Sequence, residues 1–123
     1  MKWIRVTNRE SIPLREGRCV DLGDREIAIF NLGEGKLMAI DAACPHRGGP
    51  LCDGIVTGGG ALSLAGNAVV CPLHGWKISL DSGAVLRPEV CVRVETYPVQ
   101  VIDGTVVVQL PAAKKVQQEE IAA

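Results

Sequence analysis

Two short segments of this chain pair a cysteine with a histidine. Cys44 is followed two residues later by His46, and Cys71 is followed three residues later by His74. These are the only two histidines in the chain, and a glycine follows each pair within three residues. Thiolates and imidazoles are donors that proteins use to bind zinc and iron. The pattern predicts two tight loops that close on one metal centre.

The order of the donors distinguishes two kinds of centre. Structural zinc sites usually place their ligands as separate Cys-x2–4-Cys and His-x3–5-His pairs, whereas each segment here mixes the two residue types. A Rieske-type [2Fe–2S] centre has cysteine on one iron and histidine on the other. Two mixed loops meet that demand because each loop supplies one ligand to each iron. The spacing favours the iron–sulfur centre, and a zinc site or an empty vestige of one remains the alternative.

The two motifs resemble those of the Rieske iron–sulfur proteins. The family signature Cys-x-His-x-Gly is present as Cys44, His46 and Gly48, and the signature Cys-x2-His as Cys71 and His74. The resemblance implies that the two cysteines bind the inner iron and the two histidines the outer iron. It also implies that the free ring nitrogens of the histidines face solvent, where an electron partner can approach.

The resemblance extends to residues around the ligands. Glycines in the two loops are expected to allow tight turns whose backbone N–H groups point at the sulfurs, and these are Gly48, Gly49 and Gly75. Trp76 directly follows the second loop. The segment Leu86-Arg87-Pro88 resembles the proline-bearing loop that covers the cluster in this family, which implies that role for Pro88.

Four positions differ from the high-potential Rieske proteins of respiratory and photosynthetic complexes. Those proteins add a disulfide between the ligand loops, where this chain has Gly49 and Leu73. They also place serine and tyrosine hydroxyls near the cluster, where this chain has Trp76 and Ile78. Fewer hydrogen bonds to the sulfurs imply a potential at the low end of the Rieske range, about −150 mV. A flavin or NAD(P)H donor is therefore expected, and quinol is not.

Composition limits the remaining classes of function. The chain has 123 residues, 47% of them hydrophobic and 22% charged, as expected of one globular domain. A net charge of −1 gives no reason to expect nucleic acid or a membrane surface as a partner. No signal peptide or membrane span is expected, and five cysteines without an export signal predict a reducing, cytoplasmic location. Cys19, Cys52 and Cys91 are expected to be free, packed thiols, with a spare ligand or a redox thiol as the alternative for Cys52, which is close to the first ligand loop.

The pattern of short alternating segments predicts an all-β fold, a Rieske-type antiparallel sandwich or barrel. The predicted strands are 2–6, 18–22, 25–30, 36–40, 68–70, 76–80, 91–95, 98–102 and 105–110. Asp103-Gly104 is a strong hairpin signal. One domain is expected over 1–110, with a small cluster-binding sub-domain over about 44–83 and a tail over 111–123. Residues 58–67 are expected to form a flexible surface excursion.

The ligand stretch resembles the small subunit of assimilatory NAD(P)H nitrite reductase. The similar segments are Cys44–Leu51, Asp53–Val56, Cys71–His74, Ile78–Leu80 and Ser82-Gly83, and the first contains the Arg47–Leu51 sequence after the first histidine. This implies a non-catalytic electron-transfer subunit beside a large siroheme and flavin subunit that converts nitrite to ammonia. One alternative is a soluble Rieske ferredoxin between a flavin-dependent reductase and the terminal oxygenase of a ring-hydroxylating dioxygenase. Another is a cluster-free structural module of a reductase complex. The chain has no Gly-x-Gly-x-x-Gly phosphate loop, so nucleotide chemistry is assigned to a partner.

Overall fold

A computed structural model describes residues 2–23, 25–33, 35–44, 50–58, 66–73, 75–88 and 92–110 of the chain. The described residues form three antiparallel sheets. The terminal sheet has the order β1 (Lys2–Asn8), β11 (Thr105–Leu110), β10 (Val99–Ile102). The central sheet has the order β2 (Gly17–Asp21), β3 (Glu26–Gly33), β4 (Lys36–Asp41), β9 (Thr96–Tyr97). The third, the β5–β8 sheet, has the order β5 (Ile55–Gly58), β6 (Asn67–Val70), β7 (Lys77–Ser79), β8 (Val85–Arg87).

Short 3₁₀ helices at Arg9–Ser11 and Leu51–Asp53 complete the regular structure of the described residues. The predicted all-β antiparallel fold is therefore confirmed. The predicted tail over 111–123 lies outside the described residues.

Apolar side chains fill the space on both sides of the central sheet. The terminal-side core, between the terminal and central sheets, includes Ile27, Ile29, Leu37, Val106 and Val108, and the partly buried Ile4 of β1 packs against it. The loop-side core, between the central and β5–β8 sheets, includes Phe30, Ile40, Leu51, Val69, Ile78 and Leu80. The central sheet is thus the middle layer of the molecule.

The sequence of β3 is apolar on both faces because the strand lies in the middle layer. Ile27 and Ile29 face the terminal-side core, whereas Ala28 and Phe30 face the loop-side core. A strand with both faces buried is a continuous apolar run and does not alternate with polar residues. The run from Ile27 to Phe30 is completely buried and follows this rule.

The predicted hairpin at Asp103-Gly104 is confirmed. β10 and β11 pair with Ile102 opposite Thr105, which leaves two residues for the turn. Asp103 has φ 52° and Gly104 has φ 78°, the two positive values that a two-residue hairpin turn of this kind requires.

The predicted strands differ from the structure in two ways. The predicted strand over 91–95 is not present among its described residues 92–95, where Arg93 forms only an isolated bridge with Ala84. β5, β8 and β9 were not predicted, because each is short and is stabilised by pairing with a neighbour. The 58–67 excursion starts and ends within the β5–β6 hairpin, where Gly58 pairs with Asn67. Residues 59–65 lie outside the described residues.

Cys19 and Cys52 form a disulfide, so the expectation that both are free thiols is wrong. Cys19 lies on β2 and Cys52 in the Leu51–Asp53 helix, and their Cα atoms are 5.4 Å apart. The two cysteines are 33 residues apart, and only the packing of the helix beside β2 brings them together. A cross-link that closes a loop of this size is worth about 3–4 kcal/mol in the chain-entropy picture. Cys91 lies outside the described residues.

Candidate metal centre

Cys44 lies where the chain leaves β4 and keeps to the side of the sheet that faces the loop-side core. Ile40, Ala42 and Cys44 are alternate residues, and all three belong to that core. The alternation follows from the two-residue period of extended backbone. Cys44 is 2% exposed, so its thiol is inside the protein.

Cys71 reaches the same core from β6. Val69 and Cys71 are again alternate residues, and both belong to the loop-side core. Cys71 is 1% exposed. Neither cysteine is part of a disulfide. Two strands from different sheets therefore each deliver one buried thiol to one apolar core.

The ends of the first loop are held together at its base. Ala43 and Pro50 form an antiparallel bridge, and the N–H of Leu51 donates to the carbonyl oxygen of Ala42 at 2.8 Å. The chain therefore returns after residues 45–49 to the point where it left β4. Among the predicted site residues, His46, Gly48 and Gly49 lie between these ends and outside the described residues.

The second loop is closed by hydrogen bonds to Cys71 itself. Its N–H donates to the carbonyl oxygen of Trp76 at 2.7 Å, and its carbonyl oxygen accepts from the N–H of Gly75 at 3.0 Å. Gly75 has φ +73°, which suits glycine. The N–H of Gly75 thus donates to a carbonyl oxygen. The expectation that the loop glycines direct N–H groups at the sulfurs remains a prediction. His74 lies outside the described residues.

The strand after the second loop has apolar residues at the two positions where high-potential Rieske proteins have hydroxyls. Trp76 is partly buried against the loop-side core, and Ile78 is fully buried within it. The nearest hydroxyl along β7, that of Ser79, accepts the N–H groups of Asp81 and Ser82 at 3.1 Å each. This hydroxyl therefore stabilises the turn after β7. The predicted low potential remains a prediction.

Pro88 lies at the same end of the β5–β8 sheet as the second loop. Arg87 pairs with Lys77, the residue after Trp76, and Pro88 follows directly. Leu86 and Arg87 belong to β8, although this segment was expected to be a loop. Pro88 itself is exposed. Its predicted role as a cover for the cluster remains a prediction.

A hydrogen-bonded group fixes the end of β4 just before Cys44, and the sequence did not predict it. Asp41 Oδ1 accepts from the Tyr97 hydroxyl at 2.5 Å, and Asp41 Oδ2 accepts from the N–H of Glu95 at 3.0 Å. The Asp41 N–H donates to the Glu95 carbonyl oxygen at 3.0 Å, and Arg25 Nη1 donates to the Tyr97 hydroxyl at 3.2 Å. The one available signal was a carboxylate directly after a buried strand, since such a group needs partners.

We expect Tyr97→Phe to lower the free energy of unfolding by about 2 kcal/mol, because it removes a hydrogen bond to a carboxylate. Burial, together with the hydrogen bond to Asp41, raises the pKa of Tyr97 above its ordinary value. A raised pKa contributes stability that is present in full below about pH 10 and is lost as the pH rises toward the raised value. Denaturant unfolding at neutral and alkaline pH measures both effects.

The chain has one tyrosine, so the ultraviolet absorbance of tyrosinate reports on Tyr97 alone. Native protein is expected to show none of this absorbance at a pH where the unfolded chain shows it in full. Tyr97→Phe should remove the alkaline loss of stability that is due to this group. Equal ionisation of native and unfolded protein would contradict the assignment.

The two buried thiols fit a metal centre that is closed on one side and open on the other. The thiols of Cys44 and Cys71 lie in the core, whereas their neighbours Ala43, Pro72 and Leu73 are exposed. Because both histidines lie outside the described residues, the described part holds only the cysteine half of the donor set. Thiolates in a dry core suit an iron–sulfur cluster, since water is excluded from the sulfur side.

The comparison with known families decides between the metals considered above. A family model for the Rieske-like [2Fe-2S] domain matches residues 2–109. The chain belongs to this family. The match selects the Rieske iron–sulfur centre over the zinc site, and it covers nearly all of the described fold.

Similar proteins include carriers, a subunit and parts of larger enzymes. The ferredoxin component of the naphthalene 1,2-dioxygenase system from Pseudomonas aeruginosa is 28% identical over 109 residues, which cover 89% of this chain and 96% of the ferredoxin. A Mycobacterium tuberculosis protein assigned as an NADH-dependent nitrite reductase small subunit has a TM-score of 0.78 and 25% identity, over 90% of this chain and 96% of that one. The 4β-methylsterol monooxygenase of Methylococcus capsulatus is 32% identical over an alignment 109 residues long, which covers 80% of this chain but only 27% of the monooxygenase.

This Rieske domain is an electron-transfer protein, and its cofactor is a Rieske [2Fe–2S] cluster. The predicted family and cofactor are confirmed. When bound, such a cluster accepts and releases one electron. Cys44 and Cys71 would hold it on the core side. No described helix is long and apolar enough to cross a membrane.

Proposed function

We propose that this chain is the electron-transfer small subunit of an NAD(P)H-dependent nitrite reductase. The observation that carries the proposal is the segment from Arg47 to Leu51, which matches the loop sequence expected of that subunit. The likeness to the M. tuberculosis protein, over nearly the full length of both chains, supports it. Cys44, His46, Cys71 and His74 are proposed as the cluster ligands. Reduction of nitrite belongs to the larger partner.

An apolar rim beside the second ligand loop supports the docking of a partner. Pro72, Leu73, Leu86 and Pro88 are all exposed, and we call these four residues the rim. The pairing of Lys77 with Arg87 places the β8 members beside the end of the loop. Exposed apolar side chains next to a redox centre allow a partner to approach it closely and to exclude water.

We expect Leu73→Asp to weaken partner binding by about tenfold or more, since the side chain is 61% exposed and an interface centre tolerates a buried charge poorly. The matched control is Ile102→Asp, which changes a side chain that is 54% exposed beside the β10–β11 turn, on the terminal sheet. The control should bind the partner as the unchanged chain does. Binding of each purified variant to the isolated partner is the measurement, and equal losses in both variants would remove the rim from the proposal.

The function itself is tested by tagging the chain in its own host, grown on nitrite, and recovering what binds to it. A large companion with siroheme and flavin absorption bands is the expected result. Loss of this companion from Leu73→Asp, but not from Ile102→Asp, would tie the complex to the rim. A companion without siroheme, or no companion, would overturn the nitrite reductase assignment.

The second candidate is a Rieske ferredoxin that carries electrons to a ring-hydroxylating dioxygenase. The observation that favours it is the 28% identity to the P. aeruginosa ferredoxin over nearly the full length of both chains. This candidate predicts a chain that purifies alone. It also predicts that a flavin-dependent reductase reduces the chain and that a non-haem oxygenase then oxidises it.

A further inference from the structure

The Cys19–Cys52 disulfide joins two parts of the molecule that the cluster site depends on. Cys19 belongs to the central sheet, and Cys52 belongs to the Leu51–Asp53 helix, which starts where the first ligand loop ends. This disulfide is distinct from a bridge between the two ligand loops, because neither cysteine lies in a loop. It is a cross-link from the loop base to the middle layer of the fold.

A groove lies beside one end of this cross-link. The groove has a volume of about 270 Å³ and is lined by Arg15, Glu16, Gly17, Cys52, Asp53 and Gly54. Cys52 is 9% exposed and Cys19 is half-buried. The disulfide therefore lies under the surface but beside a space that a small thiol can enter.

The wall of the groove is held in place by Arg15. This residue has φ +67°, and its N–H donates to the Asn31 carbonyl oxygen at 2.7 Å. Its Nη2 donates to the carbonyl oxygens of Gly58 at 3.1 Å and Val56 at 3.3 Å. Arg15 thus spans from the central sheet to the β5–β8 sheet, and the groove is a fixed feature between them.

Glycine at position 17 keeps the two sides of the groove close. A Cβ atom there would lie 2.8 Å from the Cys52 carbonyl oxygen and 2.7 Å from Phe30 Cδ1. The start of β2 therefore packs directly on the backbone of Cys52. The disulfide adds a covalent link at a contact that would otherwise depend on packing alone.

We propose that Cys19–Cys52 is a thiol–disulfide exchange site, reducible by a dithiol that enters this groove, and that its reduction loosens the base of the first ligand loop. In the first step a thiolate of the dithiol bonds to one sulfur of the pair, and the other sulfur leaves as a thiolate and takes up a proton. The second thiol of the dithiol, as its thiolate, then displaces the protein sulfur from the mixed disulfide. The protein gains two thiols, and the dithiol becomes a disulfide.

The effect on the cluster site follows from the position of the helix. Leu51, the first residue of this helix, donates its N–H to the Ala42 carbonyl oxygen two residues before Cys44. With the cross-link cut, the helix depends on non-covalent contacts alone: the burial of Leu51, this hydrogen bond, the Ala43–Pro50 bridge and the packing of Gly17 on Cys52. Local opening of the loop base becomes more frequent, and the cluster is released more easily.

Thiol mapping tests the exchange site without reference to activity. Protein purified without reductant is unfolded and alkylated, before and after brief treatment of the native protein with dithiothreitol, and the peptides are analysed by mass spectrometry. Cys19 and Cys52 should resist alkylation before treatment and react after it. Alkylation before treatment would show that the bond is absent, and resistance after treatment would show that the groove does not admit the dithiol. Either result overturns the proposal.

The coupling to the loop is tested by the rate at which an iron chelator bleaches the visible absorbance. Dithiothreitol should raise this rate by about tenfold in the unchanged chain and lower its Tm by about 10 °C. The Cys19→Ser/Cys52→Ser double variant should be bleached by the chelator at the faster rate, and dithiothreitol should not change that rate. If the unchanged chain is bleached no faster after reduction, or the double variant responds equally to dithiothreitol, the coupling is wrong.

Discussion

The Cys71→Ser variant is expected to bind no [2Fe–2S] cluster and to transfer no electrons. Iron content should fall from about two atoms per chain to less than a tenth of that value, because thiolate is the ligand and a serine hydroxyl keeps its proton at neutral pH. Cys71 is 1% exposed, so a thiol from solution does not replace it. Iron analysis and the visible spectrum give the result.

The control for this experiment is the Cys19→Ser/Cys52→Ser variant, which removes two sulfurs but none from the ligand loops. Freshly prepared, it should contain the same iron as the unchanged chain. Far-ultraviolet circular dichroism should show β structure in both variants. A Cys71→Ser protein with full iron content would exclude this residue from the cluster.

Gly83→Ala is expected to be the most destabilising single methyl addition in the described part of the chain. Gly83 is buried between β7 and β8 with φ +80°, and an added Cβ would overlap the Val94 carbonyl oxygen. That oxygen cannot move freely, because the Val94 N–H donates to the Gly83 carbonyl oxygen at 2.8 Å. We expect Gly83→Ala to lower the free energy of unfolding by about 3 kcal/mol or more and the Tm by about 10 °C.

Gly104→Ala is the matched control because it separates backbone strain from overlap. Gly104 has nearly the same φ, +78°, but no atom lies within 4 Å of an added Cβ. Gly104→Ala should lower the free energy of unfolding by about 1 kcal/mol, which is the effect of the left-handed conformation alone. Thermal unfolding of both variants gives the comparison, and equal losses would show that the contact with Val94 is not tight.

Local patterns in the sequence predicted the elements whose causes are local. β11 runs from Thr105 to Leu110 as predicted, because an apolar run begins directly after a two-residue turn signal. The hairpin at Asp103-Gly104 followed from the residues that tolerate positive φ. The iron–sulfur family followed from two Cys-His motifs, since ligand spacing within a loop is also a local property.

Contacts between distant segments were not predictable in the same way. The strand expected near 91–95 is reduced to a bridge at Arg93, and β5 exists because β6 lies beside it. The pairing of Asp41 with Tyr97 joins residues that are 56 positions apart. No local pattern contains both partners of such a contact.

The sequence by itself determined the chemistry of this protein: its cysteine–histidine motifs, its all-β character and its membership of an electron-transfer family. The tertiary structure decided where the chemistry lies. It placed Cys44 and Cys71 in one dry core, it paired Cys19 with Cys52, and it opened a groove beside that pair. The physical reason is that residue type and spacing set what a segment can bind, whereas burial and pairing depend on which segments pack together.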